Sequence, residues 1–462
     1  MILSSSFLDD VVHIVGASRV RRSPQEIAPY AADALGIPHP PDVVALPADT
    51  GEVAALVRLC AAARVPLVVR GAGTGYTGGA VPTSGGLVLS MERMNRIMEI
   101  DEQNLVAVVE PCVITADLQR AVEAVGLFYP PDPASLEWSS LGGNVAECAG
   151  GPRAFKYGTT KHYVLALEVV LPTGEIIRTG TKAVKNVVGY DLTHLLVGSE
   201  GTLGVITRIT LRLLPLPPAR ATLSASFTDV RQACAAVSEL IRRRAVPAAI
   251  ELIDADSLRA IERHAGRAVA TPGAEALVIA ECDGAPAAVQ DEMARVEEAC
   301  RAVGAMRVIR ASDDRTRDEL WDARRQLSLA LRASGLHKIN HDVVVPRGRI
   351  PDLFEAIDRL RREYRLRIAA FGHAGDGNIH VNLMIDRTDA DEGERARHAE
   401  RSLFETVVAL EGSISGEHGI GFAKRGYVGL ELSSDVIALM RRVKAAFDPA
   451  GILNPGKMFP DA

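Results

Sequence analysis

Pro66–Met91 reads PLVVRGAGTGYTGGAVPTSGGLVLSM. Val65–Val69 and Leu87–Met91 are short apolar runs, bounded by glycine and proline, of the kind that form buried strands. Between them Gly73, Gly75 and Gly78 make a GxGxxG pattern, with Glu99 and Asp101 downstream as candidate ribose partners. A dinucleotide fingerprint requires those glycines to open a helix. Here they run through Ala80-Val81-Pro82-Thr83-Ser84-Gly85-Gly86 into another strand, so the doubly wound reading fails on context. What remains is a loop of side-chain-free amides able to fold as an anion-binding nest around a pyrophosphate.

Outward from this loop the pattern alternates. Residues 1–40 read as a helical lead-in punctuated by Pro24, Pro38 and Pro40, and Val43–Leu46 as a strand. A helix then runs from Thr50, its expected N-cap, to Ala63. Downstream, strand Leu105–Val109 leads to a helix over Ile114–Val125, followed by FYPPDPASLEWSS (Phe128–Ser140) and LGGNVA (Leu141–Ala146). Val164–Leu171 and Glu175–Arg178 pair about Pro172-Thr173-Gly174, and the glycine-punctuated Leu195–Ile206 opens a strand reaching Leu214. Leu213–Pro218 marks a boundary, because its prolines cannot continue a central strand. Beyond it, helices Val230–Arg243, Ala288–Val303 and Asp313–Ala333 alternate with strands, and a last helix covers Asp435–Phe447.

At 462 residues the chain exceeds what one hydrophobic core usually holds, so two or three domains are expected. A net charge of −6 argues against a nucleic-acid partner. Six cysteines scattered without a CxxC pair provide neither a disulfide framework nor an iron–sulfur ligand run, which suits a reducing cytoplasm. No secretory signal is expected, since the first residues lack a positively charged start and a long apolar core, and no apolar run is long enough to predict a membrane-spanning helix.

The chemistry concentrates in Phe371–Met384, FGHAGDGNIHVNLM. Asp376-Gly377 between apolar runs predicts a two-residue type I′ hairpin, which sets His373 opposite His380. Cβ atoms so opposed are about 4.5–5.5 Å apart, close enough for two imidazoles to hold one ion. Period-two alternation puts Asn382 on the face of His380, with Ile379, Val381 and Leu383 turned to the core. A second stretch, Ser413–Phe422 (SISGEHGIGF), sets Glu417 and His418 between glycines. His373, His380 and Glu417 have the composition of a catalytic site for zinc, with manganese or iron as alternatives, and His418 is left to accept a proton. Arg324 falls about 40° from Leu320 on a helical wheel, inside an apolar stripe. A buried arginine wants a carboxylate partner.

PLVVRGAGTGYTGG, PPDPAS with LGGNVAECAGG, YGTT and LLVGSEGTLGVITRITLRLLP resemble the FAD-binding half of the vanillyl-alcohol oxidase and p-cresol methylhydroxylase (PCMH) superfamily. GHAGDGNIHVN, SGEHGIG and FDPAGILNPGKMF narrow the likeness to FAD-linked D-2-hydroxyacid dehydrogenases, the group of the bacterial glycolate oxidase FAD subunit and the FAD-linked D-lactate dehydrogenases. The resemblance implies an α+β fold: a two-subdomain PCMH-type FAD-binding domain over residues 1–218, a cap on an antiparallel sheet over 219–425, and a C-terminal return over 426–462. It implies flavin contacts from Arg70, Gly71, Ala72, Gly73, Thr74, Gly75, Gly78 and Gly79 in the first glycine loop. Further contacts are expected from Pro131, Asp132, Ser135, Gly142, Gly143, Asn144, Ala146, Gly151, Tyr157 and Gly158, then from Glu200, Gly201, Gly204, Ile206 and Asn454. Residues 70–82 contain no histidine or cysteine, so a noncovalent FAD is expected.

The same resemblance implies oxidation of a small D-2-hydroxyacid, D-lactate or glycolate, with Arg324, Asn382 and Lys338 on the substrate and His418 as base. Asn340 stands where the hydroxyglutarate-specific branch carries lysine, which argues against a five-carbon diacid. With no cluster of its own, the chain needs an external acceptor, an iron–sulfur subunit or an electron-transferring flavoprotein. It is expected as a homodimer or in a hetero-complex, cytoplasmic or peripheral to the inner face of the membrane. The alternatives are a subunit that binds FAD without catalysis, an oxidase that uses oxygen directly, and a flavin-free metal hydrolase; the last leaves the glycine loops unexplained.

Overall fold

The computed structural model describes residues 3–461. Two compact units emerge. The first holds the residues up to Gly150, Thr159–Leu216 and those from Glu417 on; the second holds Gly151–Gly158 and Pro217–Gly416. The expected boundary near Pro218 falls at Leu216/Pro217, but the return comes at Glu417 instead of 426, and Gly151–Gly158 pack with the second unit.

In the first unit, strands Val20–Arg21, Val43–Ala45, Leu87–Ser90 and Leu67–Arg70 lie side by side in that order. The last three are parallel, with Leu67 beside Leu87 and Arg70 beside Ser90. Helix Thr50–Ala63 links Val43–Ala45 to Leu67–Arg70; its N-cap is Asp49, whose carboxylate accepts from the Glu52 amide, and Thr50 is the first helical residue. Asp caps better because its ionised oxygen also faces the positive end of the helix. Parallel neighbours normally need a helical crossover. Leu67–Arg70 and Leu87–Ser90 are joined instead by the glycine loop, which contains no helix. Helix Ser5–Val15 buries Phe7, Val11 and Val15 in the same core as Val53, Leu56, Val57 and Cys60. A five-stranded antiparallel sheet follows in the order Ile97–Asp101, Val106–Val109, Val205–Arg212, Val164–Val170, Ile176–Gly180.

The second unit is built on a seven-stranded sheet in the order Arg307–Arg310, Ala219–Phe227, Ala276–Gly284, Ala249–Asp254, Arg367–His373, Asn378–Ile385, His337–Val344, every pair antiparallel. Register places Glu251 beside His373, Phe371 beside His380 and Asn340 beside Asn382. These residues share one face. On the other, Ile379, Val381 and Leu383 are fully buried. Helices Ala255–Ala265, Asp314–Arg325 and Leu327–Arg332 pack on the chemical face through Ile253, Leu277, Ile279, Ala369, Phe371 and Met384. The single helix expected over Asp313–Ala333 is thus broken at Gln326.

Candidate active site

The hairpin carrying the two histidines closes differently from the two-residue turn expected. His373 pairs with Asn378, and Ala374–Gly377 form a four-residue loop in which Gly377 alone has positive φ, +92°. The Gly377 amide donates to the His373 carbonyl at 3.1 Å, and the Asn378 amide to the Asp376 carboxylate at 3.1 Å. A type I′ turn needs positive φ at both central residues, which Asp376 does not have; a Cβ on Gly377 would fall 2.0 Å from the Val345 carbonyl oxygen, so no side chain fits there. The true register is offset by two residues from the expected one. An offset of two keeps the face of every side chain. His373 and His380 therefore still share a face, as diagonal neighbours with ring centroids 5.3 Å apart and planes at 87°. Both are buried.

Behind His373 stands Glu251, which has no exposed surface. One of its oxygens takes the His373 Nδ1 bond and the other the Arg324 Nε bond. Burial pushes the Glu251 carboxyl upward, but the charges of Arg324 and His373 outweigh it and hold it below the usual carboxylate range. Arg324 lies over the Phe371 ring, 4.7 Å from its centroid, and its Nη2 is buried without a hydrogen-bond partner among the described residues. Asn382 donates to the Ala369 and His380 carbonyls, both at 3.1 Å, and accepts from Asn340 Nδ2 at 2.8 Å. Its amide thereby braces the strand behind His380. Lys338 donates to Ser328 Oγ at 2.6 Å, and burial, reinforced by the charge of Arg332, pushes its ammonium down to about 7.

Sequence reasoning missed four buried carboxylates on this face: Glu251, Glu281, Asp283 and Asp342. Glu251 lies between Ile250 and Leu252 in AIELID, and Glu281 and Asp283 flank Cys282 in ALVIAECDG; a carboxylate inside an apolar strand was the available signal, since an unpaired buried charge is costly. Glu281 accepts from Trp321 Nε1 at 2.8 Å and Thr222 Oγ1 at 2.9 Å. Asp283 accepts from the Tyr157 hydroxyl at 2.7 Å, and its backbone carbonyl accepts from Lys156 Nζ at 2.7 Å. Tyr157, Gly151 and Gly158, expected beside the flavin, thus belong to the unit of the seven-stranded sheet.

Glu417 follows directly on Gly416, whose amide donates to Asp342 at 2.9 Å, and Asp342 sits beside His380 in the sheet. From Glu417 on, the chain is built onto the first glycine loop. The Tyr76 ring stacks on His418 with centroids 5.1 Å apart, Thr77 Oγ1 donates to the His418 carbonyl at 3.0 Å, and the Phe422 and Ala423 amides donate to the Thr77 carbonyl. His418 Nε2 lies 3.9 Å from Glu417 Oε1. The tail closes the same loop: Asn454 Nδ2 donates to the Gly79 and Glu200 carbonyls at 2.8 and 2.7 Å, and Lys457 Nζ to the Val81 carbonyl at 2.6 Å.

The first unit fits a flat, anionic cofactor. Arg70 is buried with Nη1 lacking a partner among the described residues, and burial pulls its guanidinium below its ordinary value. The Gly78 amide is fixed by Asp33 at 2.8 Å. A Cβ on Gly71 would fall 2.2 Å from Ser140 Oγ, and one on Gly142 2.6 Å from the Pro111 side chain, so these loops leave no room for side chains where they meet. Asn144 instead donates to Thr115 Oγ1 at 2.7 Å, and Glu200 accepts from the Ile420 and Gly421 amides at 2.8 and 2.7 Å. Both hold loops to each other. Pro131 accepts from Gln119 Nε2 at 2.9 Å through its carbonyl.

Comparison with known proteins agrees with this architecture. Residues 41–180 match the family described as "FAD binding domain", and residues 216–458 that described as "FAD linked oxidases, C-terminal domain". The chain is 45% identical to the glycolate oxidase subunit GlcD of Bacillus subtilis, over 91% of this chain and 89% of that protein. It is 36% identical to a D-lactate dehydrogenase of Anaerostipes hadrus, over 90% and 89% of the two chains. Among solved structures, p-cresol methylhydroxylase superposes with a TM-score of 0.81 at 18% identity, covering 99% of this chain and 98% of that one. With both domains in order and relatives of this identity along nearly its whole length, the chain belongs to the FAD-linked oxidases and is a flavin-dependent oxidoreductase.

Proposed function

We propose that this enzyme oxidises a small D-2-hydroxyacid, D-lactate or glycolate, to the 2-oxoacid with help from a divalent cation, and passes the electrons to a separate acceptor protein. The observation that carries the reading is the buried imidazole pair on one sheet face, backed by a carboxylate–arginine pair whose guanidinium keeps one unbonded nitrogen among the described residues. That composition suits a molecule with a hydroxyl and a carboxylate on adjacent carbons. The names of the relatives point the same way.

His373, His380 and Glu417 would hold the cation, zinc by the character of the ligands, with manganese or iron as alternatives. When bound, FAD supplies the two-electron acceptor and the cation a Lewis acid for the substrate hydroxyl. Arg324 Nη2 pairs with the substrate carboxylate and fixes which face of C2 is presented. Lys338 adds a second cation when protonated, and Asn382 keeps the His380 strand in register beside the substrate. His418, held by Tyr76 and Thr77, takes the hydroxyl proton. The glycine loop from Arg70 to Gly79 takes the pyrophosphate. The Bacillus relative is named as a subunit, which favours a hetero-complex. No described helix is long and apolar enough to cross a membrane.

The test is anaerobic bleaching of the purified flavoprotein by a panel of D- and L-2-hydroxyacids. D-lactate and glycolate should reduce the flavin, while L-lactate should do so far more slowly. Equal reduction by both lactates, or reduction by none, would sink the reading.

A further inference from the structure

Glu251 ties together cation binding and substrate binding, provided that His373 and His380 are cation ligands, as in the function proposed for this site. The residue lies in the middle of strand Ala249–Asp254, directly beside His373 in the sheet, and is wholly buried. Its two oxygens have separate partners, Oε1 the Nδ1 of His373 and Oε2 the Nε of Arg324. Sheet register, not a loop, sets the first contact. A carboxylate against Nδ1 keeps the ring proton on that nitrogen and leaves Nε2 as the ligating atom. The second contact holds Arg324 by its inner nitrogen, with the ring of Phe371 beneath the guanidinium and the outer Nη2 buried and unbonded among the described residues.

We propose that Glu251 is a positioning residue serving cation and substrate at once: it fixes His373 as an Nε2 ligand, and it fixes Arg324 with Nη2 presented to the substrate carboxylate. A carboxylate kept only for a buried ion pair would bond Arg324 and leave His373 to other partners. The division of the two oxygens between two functional side chains is what a coupling role requires.

The test measures Zn²⁺ affinity of the FAD-loaded, metal-stripped protein by competition with a chromophoric chelator, alongside D-lactate binding. Glu251→Gln should weaken Zn²⁺ binding by about 10- to 100-fold, the usual effect of losing a partner behind a metal-bound histidine. That variant leaves the Arg324 charge unpaired, so Glu251→Gln/Arg324→Met is the companion: with both charges removed it should show the same loss of Zn²⁺ affinity. Arg324→Met alone should keep wild-type Zn²⁺ affinity and lose D-lactate binding. Glu281→Gln, which alters a buried carboxylate two strands away from His373 in the same sheet, should change neither. Wild-type Zn²⁺ affinity in the double variant would overturn this inference alone. Wild-type protein that takes up no Zn²⁺ would overturn the cation reading and this inference with it.

Discussion

His418 illustrates how little of its chemistry a side chain owns. It is held through its ring by Tyr76 and through its carbonyl by Thr77, both in the glycine loop. Removing the imidazole should therefore leave the loop's own anchors, Asp33 on Gly78 and Asn454 on Gly79, in place. His418→Ala is expected to retain FAD while flavin reduction slows by about 10²- to 10⁴-fold, the range for a lost general base; stopped-flow reduction with D-lactate measures it. Lys338 makes a stability prediction. Its folded value, about 7, lies below the ordinary lysine value of 10.5, so between the two the unfolded chain binds more protons and stability rises with pH through that window. Lys338→Met removes the cost of burying the charge. It should raise the urea midpoint more at pH 6 than at pH 10, and an equal rise at both would contradict the assignment.

At the level of the element, the hairpin shows which inferences from sequence are robust. Turn type and register differ from expectation: His373 pairs with Asn378 and Asp376 does not take the positive φ of a type I′ turn, while the Val345 carbonyl leaves room only for glycine at 377. The shared face of His373, His380 and Asn382 holds because parity, unlike register, is unchanged by a slip of two. Helix Asp313–Ala333 was legible as a stripe but not in its break at Gln326, which nothing local in the sequence announces. For Glu251 the apolar strand around it was a signal, but its partners were not legible: they lie 73 and 122 positions away, and only strand order brings them together. Gly377→Ala belongs to this scale. It combines a backbone at φ +92° with a collision against Val345, and should destabilise the unit by about 1–3 kcal/mol or more. Denaturation in urea would show it, and a midpoint equal to wild type would contradict the turn described here.

Across the whole molecule, the fold class and the failure of the dinucleotide reading were legible from Pro66–Met91, because the connection between two strands either contains a helix or does not. The division at Leu216/Pro217 was legible because proline marks it. The return at Glu417 was not, since Ser415-Gly416-Glu417-His418 carries no break in composition. The excursion of Gly151–Gly158 was hidden too, because Lys156 and Tyr157 find Asp283 more than a hundred positions downstream. What the two units contribute is nonetheless distinct: a glycine-lined cradle with His418 in one, and a carboxylate-backed imidazole pair in the other. In the proposed function a cation polarises the substrate hydroxyl. Single-turnover reduction of the flavin by D-lactate, before and after chelator dialysis and again after added Zn²⁺, tests that most directly. A large fall on metal removal with recovery on reconstitution is predicted; flavin that bleaches at the same rate throughout would contradict it.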